Sequence, residues 1–414
     1  MNFIFVSPNF PVRYFKWVEA LAHHGITVLG IGDSPSYDVH PRLKAALKEY
    51  TFVKDLSDYP SLLAACRHYE TKYGKIDFIE SDNEWWLESD ARLRKDLGVK
   101  SGFFPEQMQH IKAKSAMKRC FQEAGAKTMR YILVDGPENL EASLAFAKEV
   151  SYPVFVKPDV GVGANDSFKL NNEEELRHFL SKKLPETYIM EEFIDGEIVS
   201  FDGICNSKSE VVFCTSDHFL TPIAEVVNND TDYFYYNNPF SLPFFDVDPV
   251  AFEKMGRAVV KSFGIASRFF HIEFFVLSKD KEGFASKGEF VALECNMRPA
   301  GGYTPDLINY ANSVSCYEIY ADVVLYDENR QDMNKKKFYS FAPARKNGIS
   351  YLHKDAEILA KYKSNLCMQG TYPEHMVKAM GNEYFYAKFS DFSEGMSFVD
   401  FVRARSPQLQ NKNL

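Results

Sequence analysis

The sequence predicts a mixed α/β and α+β chain. A parallel α/β domain comes first, then a small α+β module, a larger and mainly antiparallel sheet, and a small C-terminal β-rich subdomain. Three observations carry this. Strands and helical periods alternate through the first unit, as they do in a parallel sheet. Short strands interrupted by helical stretches follow Gly125. A hairpin pattern then leads into two apolar runs, Phe269 to Leu277 and Phe290 to Leu293. With 414 residues the chain exceeds one ordinary core, and the boundaries are placed at 1–108, 109–197, 198–330 and 331–414.

Asn2 to Val6 reads as a strand, Tyr14 to His23 as an amphipathic helix and Thr27 to Ile31 as the next strand, with Gly25 where a helix C-terminus favours glycine. Asp55 to Tyr73 is helical, Ile76 to Glu80 strand-like, and Glu84 to Leu97 helical up to Gly98. Ala113 to Ala124 has helical spacing and stops at Gly125. Tyr131 to Val134, Val154 to Val156, Phe168 to Leu170 and Tyr188 to Glu192 are short strands, separated by the helical stretches Asn139 to Glu149 and Glu173 to Leu180. Ile198 to Cys205 and Val211 to Thr215 flank the polar turn Asn206 to Ser209, and Pro249 to Phe263 supplies a helix. Asn228 to Pro243 is polar and aromatic without a period: either a loop that covers a substrate or one packed on its own domain. Asp327 to Lys337 is the linker candidate, Phe338 to Phe401 alternates short strands with turns, and the polar tail from Ser406 is expected to fray.

Hydrophobic residues make up 45% and charged residues 25%, which excludes wholesale disorder, and the 15% of aromatics supplies large buried side chains. A net charge of −9 argues against a nucleic-acid surface, because backbone binding needs a concentrated basic field. Small-molecule chemistry is favoured. The start, MNFIFVSPNF, has no basic segment ahead of its apolar residues, and no apolar run reaches about 18 residues, so a cytoplasmic protein is expected. Seven cysteines form no CxxC pair, which points to neither a zinc ribbon nor a disulfide framework. Alternation turns Cys295 to the face opposite its neighbours Glu294 and Asn296.

The chemistry concentrates in Glu294-Cys295-Asn296-Met297-Arg298-Pro299-Ala300-Gly301-Gly302, read with Glu273 on the preceding apolar run. Two carboxylates and an amide suit Mg²⁺, which takes a few protein oxygens while substrate phosphates complete its shell. Arg298 suits the charge of a phosphoryl group in transfer. Lys157 ends a strand and precedes a loop with Gly161 and Gly163; this is a phosphate cradle or a tight hairpin turn, and the third glycine of a dinucleotide fingerprint is absent. Met190 to Glu197 offers exposed backbone for a base and a carboxylate for a ribose, or is a solvated acidic turn. Lys114 is one of several lysines on its helix. His271 shares a strand face with Glu273, as its hydrogen-bond partner, a third ligand or a half-buried bystander. Arg13, Asn83 and Glu84 lie at strand ends of the first unit, where α/β sheets place ligands.

In order and relative placement, Lys114, Lys157 with its glycine loop, Glu191 to Glu197, Glu273, Glu294, Asn296 and Arg298 resemble the ATP-grasp superfamily over Ala113 to Gly302. The ECNMRPAGG run is the most specific part. The pattern is similar to the biotin-carboxylase-like branch and to bacterial L-amino-acid ligases. The resemblance implies an ATP-grasp fold, with the small α+β module as lid, and a cytoplasmic ATP-dependent carboxylate–amine ligase acting on small molecules, in an assembly that is often a homodimer. Lys114 and Lys157 would then contact ATP phosphates beneath the loop carrying Gly161 and Gly163. Glu191 with the backbone of Glu192, Phe193 and Ile194 would hold adenine, Phe275 and Leu293 would sandwich it, and Glu197 would hold the ribose. Glu273, Glu294 and Asn296 would bind Mg²⁺ (or Mn²⁺), and Arg298 would steady an acyl phosphate. The loop is sparser in glycine than in many members, with Asn165-Asp166 where small residues are common. A carboxylase or purine-pathway ligase of the same fold, and a non-catalytic ATP-binding module, are the alternatives. The general base is open among His218, Asp217 and Asp306.

Overall fold

The computed structural model describes residues 1–161, 166–220, 232–244 and 247–406. Its first unit is a four-stranded parallel sheet of β1 (Asn2–Val6), β2 (Thr27–Gly32), β3 (Glu49–Phe52) and β4 (Phe78–Glu80), in the order β3-β2-β1-β4. Helices α1 (Phe15–His23), α2 (Pro41–Ala46), α3 (Tyr59–Tyr73) and α4 (Leu87–Leu97) connect or follow the strands. Because strand side chains alternate, Ile4 and Val6 pack with Leu62, Cys66 and Tyr69, while Phe3 and Phe5 pack with Trp17, Val18 and Leu21. The chain leaves β1 on one side for β2 and returns on the other for β4. That reversal opens a crevice at the strands' carboxyl ends.

Two elements here differ from expectation. α2 and β3 were not anticipated: their segment is polar, and as an edge strand β3 is at most half-buried, so it shows no apolar run. α3 starts at Tyr59 rather than Asp55, because Asp55 accepts hydrogen bonds from Ser57 N and Oγ in a turn and Pro60 opens the helix.

α5 (Met108–Lys112) and α6 (Lys114–Glu123) are separated at the extended Ala113, and α6 stops at Gly125, whose φ of 84° closes the turn. A short β5 (Lys127–Thr128) follows. The small module then comprises β6 (Tyr131–Val134), α7 (Leu140–Val150), β7 (Val154–Pro158), β8 (Phe168–Leu170), α8 (Glu173–Phe179) and β9 (Tyr188–Glu192). Its sheet runs β6-β9-β7-β8, antiparallel throughout, over a core that includes Val134, Phe146, Val154, Val156 and Leu176.

The large sheet begins with β10 (Gly196–Cys205), β11 (Val211–Phe219) and β12 (Tyr236–Asn238), and continues after α9 (Pro249–Ser262) with β13 (Arg268–Leu277) and β14 (Phe290–Asn296). Next come α10 (Thr304–Asn312), α11 (Cys316–Tyr326), β15 (Tyr339–Phe341), β16 (Ala344–Arg345), α12 (Asp355–Lys361), β17 (Leu366–Thr371), α13 (Glu374–Met380), β18 (Glu383–Phe389) and α14 (Phe392–Arg403). The order is β16-β18-β15-β12-β11-β10-β13-β14-β5 with β17 on β18, so the C-terminal strands extend the same sheet. α10 and α11 had no counterpart in the sequence reading. Both are buried on most sides, so they lack the single apolar stripe that marks a helix at a surface. α12 to α14 likewise replace some of the expected turns.

Tyr233 to Tyr236 are buried in the aromatic layers around Tyr384, Tyr386 and Phe341, so this part of the Asn228 to Pro243 segment packs on its own domain. Residues 228–231 lie outside the described residues, as does the tail from Pro407. A buried ionic knot joins the first unit to the large sheet. Glu80 accepts from Arg94 Nη2 at 2.7 Å and from Arg268 Nη2 at 2.9 Å, and the two guanidiniums also donate to the carbonyls of Ile79, Phe103 and Met297. Burial and then Glu80 push the neighbouring Asp82 well above the carboxylate range, and Asp90 to about 7.

Candidate active site

The pairing of β13 with β14 places the candidate oxygen donors. His271 stands opposite Asn296 and Glu273 opposite Glu294, so all four share one face; Cys295 turns into the core on the other. A register shift just beyond Glu273 ends this regular row. Glu273 Oε1 lies 2.9 Å from His271 Nε2, and His271 Nδ1 lies 2.7 Å from Asp202 Oδ1 on β10. Burial works against the imidazolium, but Asp202 and Glu273 outweigh it and hold His271 at about 10. The sequence-level option of a hydrogen-bond partner is therefore the one observed. Among the described residues no three His, Cys, Asp or Glu side chains already converge as a metal site. Even so, two carboxylates and an amide on one face are the oxygen donor set that Mg²⁺ accepts.

Arg298 follows β14 and donates from Nε to Glu84 at 3.1 Å and from Nη1 to the Pro299 carbonyl. Glu84 comes from the crevice loop after β4, where Tyr14 donates to the Asp82 carbonyl. The first unit thus contributes directly to the site. Asn83 caps the short turn beginning at Glu84, and Arg13 pairs with Asp306 at 2.7 Å.

On the lid side, Lys157 Nζ lies 2.9 Å from Glu191 Oε2 on the neighbouring strand β9. Lys118 of α6, which sequence reasoning passed over, meets Glu191 Oε1 at 2.6 Å. It follows Lys114 by four residues, one turn on the same helix face, but nothing in the sequence ties it to Glu191. Lys114 donates to the Gly161 carbonyl at 3.0 Å and lies 3.5 Å from Glu294. Asp159 accepts from Ser115 N and Oγ, pinning the start of the glycine loop to the first turn of α6. Among the described residues a Cβ at Gly161 would meet only Pro158, at 3.6 Å. Gly163 lies outside the described residues.

At the hinge between modules, Glu192 is held by Arg130 and Lys281, and Lys281 also donates to the Phe193 carbonyl. Ile194 is buried with Met129, Leu277 and Val291, and the half-buried Phe275 and Leu293 pack against this cluster. Glu197 stands at the start of β10, exposed and opposite Val276. Of the candidate bases, His218 pairs with Val199 and therefore faces away from Glu273. Asp217 shares the Glu273 face, but burial and then Asp202 hold its carboxyl well above the ordinary range. Asp306 is engaged by Arg13, Lys16 and Tyr317.

The Glu191 cluster has a measurable acid limb. Burial alone would raise this carboxyl, but Lys157 and Lys118 together pull it from 4.5 down to about 2. A folded-state value below the unfolded one gives stability that is complete above pH 4.5 and is lost as pH falls toward 2. Urea midpoints measured across that window are expected to fall less steeply in Glu191→Gln than in the wild type.

Residues 124–266 match the ATP-grasp domain model. The carbamoyl phosphate synthase large chain of Thermotoga neapolitana is 26% identical over 197 residues, which is 47% of this chain and 17% of that one. The L-arginine-specific L-amino acid ligase of Bacillus subtilis is 22% identical over 273 residues, 64% of this chain and 61% of that one. The chain therefore spans less than two thirds of either curated relative. The solved L-amino acid ligase of Bacillus licheniformis superposes with a TM-score of 0.69 at 15% identity, covering 96% of this chain and 95% of that one. Residues 124–266 thus match an ATP-grasp domain, and the chain as a whole shares the fold of that solved ligase.

Proposed function

We propose that the protein is an ATP-dependent carboxylate–amine ligase that joins an amino acid to an amine, such as a second amino acid, and releases ADP and phosphate. The observation that carries this is the facing pair Glu273 and Glu294, with Asn296 on the same face, Lys114 touching Glu294, and Arg298 following β14. A carboxylate resists attack by an amine because its leaving group would be oxide. Transfer of the γ-phosphoryl group of ATP to it, with ADP leaving, gives an acyl phosphate; the amine then attacks the carbonyl carbon, phosphate leaves, and the proton lost by the amine passes to the departing phosphate or to solvent. Glu273, Glu294 and Asn296 would hold Mg²⁺, which supplies positive charge to the phosphoryl oxygens. Lys114 and Lys157 place further positive charge on the phosphates, and Arg298 stands where the acyl phosphate and its tetrahedral adduct carry theirs. The main chain at Glu192 to Ile194, with Phe275 and Leu293, holds the base, and Glu197 the ribose. The crevice loops of the first unit, with Glu84 on Arg298, bring the carboxylate substrate.

The likeness to proteins named as L-amino acid ligases supports an amino acid as the acid. Phosphate release measured against a panel of amino acids and amines tests the proposal. Turnover that depends on both an amino acid and an amine is expected. Turnover that depends on bicarbonate and not on an amine would assign a carboxylase instead, and ATP binding without phosphate release under any pairing would leave only a binding module.

A further inference from the structure

Lys118 lies outside the matched domain and outside the motif series, yet it is built into the site. Its helix α6 packs on β14 and β5 of the large sheet, whereas Glu191 and Lys157 belong to the small module. Side-chain exposures are 5% for Lys118, 3% for Glu191 and 9% for Lys157. Lys118 Nζ meets Glu191 Oε1 as an ion contact off the hydrogen-bond direction, with the Tyr131 ring centroid 5.4 Å from the ammonium.

A buried carboxylate has to be neutralised. If Lys157 alone did this, the two would form a closed pair, and any anion reaching Lys157 would compete with Glu191 for its charge. Two ammoniums on one carboxylate leave one positive charge over. We propose that Lys118 is a positioning residue for nucleotide: by neutralising Glu191 from outside the small module, it leaves the charge of Lys157 for the phosphates of a nucleoside triphosphate. This inference rests on the ATP site proposed above. Glu191 is the largest charge acting on both lysines, and Lys157 is also acted on by Glu294 and Glu273. Burial lowers Lys118 despite Glu191, whereas Lys157, buried as well, is held above its ordinary value by Glu191, Glu294 and Glu273. Glu294 and Glu273 on the large sheet therefore act on Lys157 across the cleft, on the side where the phosphates would lie.

The test is calorimetric titration of the full chain with ATP and Mg²⁺. Lys118→Met is expected to bind ATP about tenfold more weakly, and Lys118→Arg, which keeps the cation, to stay within about threefold of the wild type. In a Glu191→Gln background, Lys118→Met is expected to add nothing, because the carboxylate that Lys118 neutralises is gone. Wild-type affinity in Lys118→Met overturns the inference. So does a further tenfold loss in the double variant, which a direct phosphate contact or a general loosening would produce. Lys118→Gln is held to the same comparison if the Met variant lacks a cooperative unfolding transition. A wild-type chain that binds no ATP would remove the nucleotide site itself; a wild type that binds, with Lys118→Met unchanged, removes only the role of Lys118.

Discussion

Glu294→Gln is expected to reduce Mg²⁺-dependent phosphate release by about a hundredfold while leaving the thermal unfolding transition close to that of the wild type. The substitution keeps the volume and removes one charge from the face where Glu273 and Glu294 stand opposite each other. Glu273 already accepts from His271, so Glu294 is the carboxylate with fewer protein donors; its ion-pair partner is Lys114 at 3.5 Å. Removing it strips the row of the carboxylate best placed to meet a hard divalent ion, and raising the Mg²⁺ concentration is expected to recover part of the rate. The measurement is phosphate release across a Mg²⁺ titration, alongside a melting curve. A variant that turns over at the wild-type rate would take Glu294 out of the site.

Glu80→Gln is expected to cost about 3–5 kcal/mol of folding stability at neutral pH, the range seen when one partner of a buried ion pair is removed. Glu80 is the single carboxylate between Arg94 and Arg268, and both guanidiniums are almost wholly buried, with side-chain exposures of 1% and 0%. Without its charge they confront each other beside carbonyls, the Phe103 ring and the raised carboxyls of Asp82 and Asp90. Urea unfolding reads the loss directly. A change below about 1 kcal/mol would show that Asp82 or Asp90 ionises and takes over the role, a substitution that the unfolding curve's dependence on pH would expose.

Much of the fold was legible because its elements carry the periods that burial imposes. β1, β2 and β13 are apolar runs, and α6 shows a helical stripe that ends at a glycine. The elements that escaped are those whose surroundings erase the period. β3 is a polar edge, and α11 is buried almost all round because it packs against α1 and the large sheet. At the site, the motif residues of β13 and β14 were legible because a strand pair places alternate residues together whatever the rest of the chain does. Lys118, Arg130, Lys281 and Asp202 were not. Each is paired with a carboxylate or imidazole that is distant in sequence, and only the fold brings them within reach.

The continuity of the large sheet has a consequence for its C-terminal strands. β15 hydrogen-bonds β12 through Tyr236 and Asn237, and β18 with β16 and β17 extends the same ladder outward. A chain ended before Tyr339 would leave β12 as a bare margin, its main-chain donors and acceptors turned to solvent and bordered by the aromatic side chains of Tyr233 to Tyr236. Such a margin is a template on which a second copy could add a strand. The last quarter of the protein therefore works as a selvedge, finishing the sheet so that the strands bearing Glu273 and Glu294 stay in one molecule.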